Sequence, residues 1–181
     1  MTCHLLAITP GLGFDPRRWE PVLASGIDAL LIREPDLGRA HLEAAATWCR
    51  GEHPEVALWI RSHQLPGCGL HLPEGMEGGG RGVSRPLHDP GQWEARSRAA
   101  QLLISPICPT PGKGEAWGVG KLHTFLEALP EGGPRLLALG GLTPTHVRAV
   151  RHPRLQGLAA IRPFWQGEAR EAVEAFREAW G

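Results

Sequence analysis

The chain has 181 residues, 42% hydrophobic and 21% charged, with 19 Lys+Arg against 19 Asp+Glu and a formal net charge of zero. That length suits one domain spanning 1–181, and the neutral balance argues against a nucleic-acid or anionic-membrane partner, since both need a basic surface. No apolar run approaches the roughly 20 residues of a membrane helix, and Met1-Thr2-Cys3-His4 carries no signal-peptide pattern, so the cytoplasm is the expected home.

Short apolar runs alternate with amphipathic stretches along the whole chain. Leu5 to Thr9 reads as a buried strand, and Pro16 to Ala24 as a helix with Asp15 as its N-cap. Ala29 to Arg33 is the second strand. Asp36 is then expected to cap a long helix that spaces Leu37, Ala40, Leu42, Ala45 and Trp48 along one face. Val56 to Ile60 and Gly69 to Leu72 are strands joined only by Arg61 to Cys68. The segment Glu74 to Gly82 is too rich in Gly for a stable helix.

The alternation then resumes. Gly82-Val83-Ser84 is a short fifth strand, followed by a helix over Asp89 to Ala99. Gln101 to Ile107 is a strand and Lys121 to Leu129 a helix. Arg135 to Leu139 runs into Gly140-Gly141, after which Thr143 caps Pro144 to Val150. Gly157 to Ile161 is the eighth strand, and Glu168 to Trp180 the last helix.

Eight apolar strands, most followed by helices, predict a compact (β/α)8 TIM barrel with shortened third and fourth connections. A doubly wound open sheet is the alternative. Against it, Gly11-Leu12-Gly13 lacks the third glycine of a dinucleotide-binding turn. In a barrel the reactive face is the C-terminal rim, where the strand ends place Thr9, Arg33, Arg61, Ser62, His63, His71, Ser84, Cys108, Gly140, Gly141 and Arg162.

Three of these features converge on phosphate. Thr110-Pro-Gly-Lys113 is a Gly-containing loop with a hydroxyl and a cation. Gly140-Gly141 allows close backbone approach to an anion, and Arg162 offers a planar donor. Each has a plainer alternative: a tight turn for the glycines, and a rim ion pair with Asp or Glu for Arg33 and Arg162. Cys3, Cys49, Cys68 and Cys108 form no Cys-x-x-Cys pair, so neither a metal site nor a disulfide framework is expected.

The ordered motifs resemble the thiamine phosphate synthase/TenI (thiazole tautomerase) family. Gly26-Ile-Asp-Ala-Leu-Leu-Ile-Arg33-Glu-Pro is similar to that family's second-strand segment ending in Gln-x-Arg-Glu-Lys. Gly69-Leu-His-Leu resembles its Gly-Val-His-Leu, and Gly82-Val-Ser84 its Gly-x-Ser. Ser105-Pro-Ile-Cys-Pro-Thr110-Pro-Gly-Lys113 is similar to Gly-Pro-Ile-Phe-Pro-Thr-x-x-Lys, and Leu137 to Val147 to Ala-Ile-Gly-Gly-Ile-x-Pro-x-x-Val. The resemblance implies a compact barrel of thiamine biosynthesis. Its small-molecule partner would be a thiazole phosphate or thiamine phosphate, held by Arg33, Ser84, Thr110, Lys113, Gly140, Gly141 and Arg162, and the family also suggests a homo-oligomer.

The departures bear on the reaction. Leu31 and Pro35 stand where the synthase has its Gln and Lys, and Arg61-Ser62 replaces an Asn-Asp pair. Pro106 occupies the place of the tautomerase's proton-transferring His, which leaves Cys108 or His63 as the catalytic candidates. Tautomerase-type proton transfer on a thiazole phosphate is the leading expectation. A non-catalytic phosphate-ligand-binding or regulatory protein, and a thiamine phosphate synthase, are the alternatives. No cofactor is expected, and Mg2+ only for the synthase.

Overall fold

The computed structural model describes residues 2–181; Met1, the first residue of the expected domain, lies outside the described residues. Eight parallel strands pair in chain order: β1 (His4–Ile8), β2 (Ala29–Ile32), β3 (Ala57–Arg61), β4 (Gly69–His71), β5 (Gly80–Leu87), β6 (Ala99–Ile104), β7 (Arg135–Leu139) and β8 (Gly157–Ala160). β8 closes on β1 with Leu6 opposite Ala159, so no sheet edge remains and the open-sheet alternative falls. The molecule is a (β/α)8 barrel. No helix among the described residues is long and apolar enough to cross a membrane.

β1, β2, β7 and β8 are apolar on both faces because each face meets a different core. Leu6, Ile8, Ala29, Leu31, Leu103, Leu137 and Ala159 fill the barrel interior. Their neighbours Leu5, Ala7, Leu30, Ile32, Leu102, Leu136 and Leu158 face outward, against the helices. Two glycines make room inside. A Cβ on Gly69 would sit 2.2 Å from the Trp59 ring, and one on Gly157 would sit 1.9 Å from the His4 carbonyl oxygen.

The helical layer is uneven. It comprises α1 (Pro16–Leu23), α2 (Arg39–Glu52), α3 (Trp93–Arg96), α4 (Gly118–Ala128), α5 (Pro144–Val150), α6 (Arg162–Trp165) and α7 (Ala169–Trp180). Asp15 caps α1 as expected, accepting from the Arg17 N–H at 3.0 Å. Thr143 begins α5, its N–H donating to His146 Nδ1 at 3.2 Å. β3 and β4, and β4 and β5, are joined by loops without a helix.

Four expected boundaries are corrected. α2 starts after Gly38, because the chain first turns at Pro35-Asp36 with the Leu37 N–H bonded to the Glu34 carbonyl. The fifth strand runs from Gly80 to Leu87 rather than ending at Ser84; its pairing with β6 continues through Leu87 opposite Ile104 after a bulge. The helix expected over Asp89 to Ala99 shrinks to a 3-10 turn, Pro90–Gln92, and the single turn of α3, while Ala99 already belongs to β6. The fifth connection is therefore short as well. β8 ends at Ala160, and Arg162 opens α6 instead of closing the strand.

Candidate functional site

A cavity of about 1000 Å³ opens at the C-terminal mouth of the barrel, where the interior side chains give way to loops. Its floor is the upper layer of the interior core: Ile8, Leu31, Leu103, Leu139 and Ala159. Arg33 from the end of β2, Lys113 from the loop after β6 and Arg162 at the start of α6 stand on its walls. Thr110, Gly140 and Gly141 line it too. Six of the nine expected site residues are thus brought to one cavity.

Local structure explains how each is held. Gly140 (φ +102) and Gly141 (φ +66) adopt left-handed conformations. A Cβ at Gly140 would lie 2.9 Å from Pro106 Cα, and one at Gly141 2.8 Å from Cys108 Cβ. Only glycine lets the β7–α5 turn lie directly on the β6–α4 loop, where the Cys108 N–H donates to the Gly140 carbonyl at 3.0 Å. The Thr110 hydroxyl donates to the Cys108 carbonyl at 3.0 Å and steadies the same loop. Trp165 Nε1 donates to the Ile8 carbonyl at 2.8 Å, pinning α6, and with it Arg162, to the mouth of β1.

Charge is unevenly distributed around this mouth. Arg33, Lys113 and Arg162 pair with no carboxylate among the described residues, which removes the rim ion-pair alternative for Arg33 and Arg162. Glu34 beside Arg33 is buried and used otherwise: its carboxylate accepts from the Gly11 N–H at 3.1 Å and the Gly13 N–H at 2.7 Å, fastening the β1–α1 loop. Lys121, also on the cavity wall, is partly neutralised by Asp89 at 3.8 Å and lies over the Trp117 ring.

Three expected site residues lie elsewhere. Ser84 is fully buried inside the barrel, bonded to His71 and Gln101, and does not reach the cavity. His63 is half-buried on the β3–β4 loop, outside the cavity, with Nδ1 3.2 Å from the Arg61 carbonyl oxygen. Cys108 packs against the helix-side core, and burial pushes its thiol above the ordinary value, which lowers its thiolate content at neutral pH.

His88 is the imidazole that does line the cavity. Its Nδ1 donates to the Ser105 carbonyl at 2.7 Å, and its Nε2 lies 3.6 Å from the Glu74 carboxylate. Glu74 is fixed in turn by Arg96, at 2.6 and 3.1 Å, and by Gln92 at 3.0 Å; the bonded Arg96 holds its carboxyl below the ordinary range. Ending the fifth strand at Ser84 hid this residue. Continued by alternation, Ser84, Pro86 and His88 share the inward side.

Among the described residues, no three His, Cys, Asp or Glu side chains come together to hold a metal ion. Arg61 and Ser62 stand at the end of β3, and the Glu74 carboxylate that follows β4 is bonded to Arg96 and Gln92.

No family model and no curated protein matches the chain in sequence. Solved structures do match in fold. A thiamine phosphate pyrophosphorylase from Pyrococcus furiosus superposes with a TM-score of 0.77 at 15% identity, over 97% of this chain and 94% of that one. A 3-keto-L-gulonate-6-phosphate decarboxylase from Vibrio cholerae gives 0.68 at 11% identity, over 99% and 98%. A (S)-3-O-geranylgeranylglyceryl phosphate synthase from Thermoplasma acidophilum, in complex with sn-glycerol-1-phosphate, gives 0.66 at 12%, over 98% and 92%. At these identities the likeness establishes the barrel fold alone.

Proposed function

We propose that this protein binds a phosphorylated small molecule of the thiazole phosphate class at the barrel mouth and moves a proton on its ring, as a TenI-like member of thiamine biosynthesis. The observation that carries the reading is the gathering of Arg33, Lys113 and Arg162 on one cavity with no carboxylate in ion-pair contact with them, although Asp89 and Glu115 also line it. Unpaired cations above an apolar floor favour an anion joined to an apolar ring. The Gly140-Gly141 turn would bring backbone close to the phosphate, while Leu31 and Leu103 offer ring contacts.

In this reading His88, which lines the cavity, moves the proton in place of His63 and Cys108, which do not line it. Its imidazole would remove a proton from one ring carbon and return it to another, with Glu74 stabilising the imidazolium between the two steps. The synthase reading is weaker. Leu31 places an alkyl chain on the cavity floor where the synthase pattern has Gln, and Pro35 offers no cation.

Calorimetry with thiazole phosphate and with its dephosphorylated alcohol tests the binding; equal affinity for the two overturns it. Turnover of thiazole carboxylate phosphate that is lost in His88→Gln supports the tautomerase. Turnover only with the pyrimidine diphosphate, thiazole phosphate and Mg2+ shows a synthase instead. Binding without turnover leaves a regulatory, ligand-binding protein.

A further inference from the structure

The barrel interior carries a polar row that the cavity lining does not include. Strand register sets Arg61 opposite His71, His71 opposite Ser84, and Ser84 opposite Gln101 across β3 to β6. Strands in a closed barrel are staggered, so such a row descends from the rim at Arg61 into the interior at Gln101. Ser84 and Gln101 are 0% and 1% exposed. The Ser84 hydroxyl oxygen lies 3.0 Å from His71 Nδ1 and accepts from Gln101 Nε2 at 3.1 Å.

Hydrogen-bond accounting sets the direction of this relay. A hydroxyl has one proton to give. Ser84 receives from Gln101, and no third partner is present among the described residues, so its proton goes to His71 Nδ1. An imidazole that accepts at Nδ1 carries its own proton on Nε2. With the amide turned end for end the relay would reverse, leaving the Gln101 NH2 group buried without an acceptor. The observed arrangement leaves only Gln101 Oε1 without a partner, and an under-satisfied oxygen is the more tolerable orphan.

The surroundings keep the ring uncharged. Burial first, then the Arg61, Arg33 and Arg85 guanidiniums, push His71 down to about 4. His71 Nε2 has no partner among the described residues, yet it is not among the polar atoms sealed from solvent. Arg61 has no ion-pair partner there either. Two guanidiniums and an N–H offer donors without an acceptor.

We propose that His71, locked by Ser84 and Gln101 as an uncharged Nε2–H donor, forms with Arg33 and Arg61 a subsite for a carboxylate or carbonyl oxygen of the bound ligand. Arg33 also lines the cavity and so joins this subsite to it. The ligand's identity rests on the function proposed above; the tautomer lock does not.

The test uses histidine-labelled protein and long-range proton–nitrogen spectra. His71 is expected as a single tautomer protonated at Nε2 from about pH 8 to about pH 5.5, turning into a mixture in Ser84→Ala. A ring protonated at Nδ1, or an imidazolium in that range, overturns the lock. Pyruvate as the carboxylate probe is expected to shift the His71 Nε2–H resonance in the native protein and not in Arg61→Ala. No shift at saturating pyruvate overturns the subsite. Inorganic phosphate, followed separately at the Gly140 and Gly141 amides, tests the phosphate reading alone.

Discussion

Lowering the pH should weaken this barrel through His71 by an amount that can be worked out. Burial and the nearby guanidiniums push the imidazole down to about 4 in the folded protein, against an ordinary value of 6.5. The folded value is depressed, so the unfolded chain binds the extra proton first. The stabilising contribution is therefore complete above about pH 6.5 and is lost as pH falls toward about 4. At about 1.4 kcal/mol per unit, the window is worth about 3 kcal/mol, a large share of the roughly 5–15 kcal/mol that holds a domain together. Urea unfolding of the native protein and of His71→Gln, at several pH values across the window, isolates this contribution, because carboxylates titrating in both proteins cancel. The native protein should lose stability more steeply than the variant, by about 1 kcal/mol per pH unit at mid-window. Parallel profiles would refute the buried, uncharged assignment.

Glu34→Gln removes the charge from two backbone bonds that fasten the β1–α1 loop, and it should cost about 1–3 kcal/mol in chemical denaturation. Gly141→Ala forces a Cβ to 2.8 Å from Cys108 Cβ at a positive φ. It should lower the melting temperature by several degrees, about 1–3 kcal/mol, and displace the Thr110–Lys113 loop, as read from its amide resonances. Arg162→Ala should weaken thiazole phosphate binding by about 1–3 kcal/mol in calorimetry, with less salt dependence than the native protein; an unchanged affinity removes Arg162 from the site.

The sequence by itself determined the strand order, the barrel and most of the cavity's cationic wall. Continuous apolar runs such as Leu5 to Ile8 and Leu102 to Ile104, repeated between helical stretches, fit strands covered on both faces; Asp15 and Thr143 mark helix starts, and the Gly140-Gly141 pair marks a strand end. Arg33, Lys113 and Arg162 were legible for the same reason: each follows a strand, and strand ends meet at one rim. What the chain could not disclose is which charges find partners and which side chains turn inward. Glu34 could have neutralised Arg33 but is spent on two glycine N–H groups, and Ser84 looks like a rim hydroxyl until stagger places it inside the barrel. His88 became a cavity residue only because β5 runs on past Ser84, and His71 is kept uncharged because the closed barrel buries it and then sets Arg61, Arg33 and Arg85 beside it. Periodicity is a local property and survives in one dimension; register, burial and pairing depend on residues far apart in the chain, and only the closed barrel brings those together.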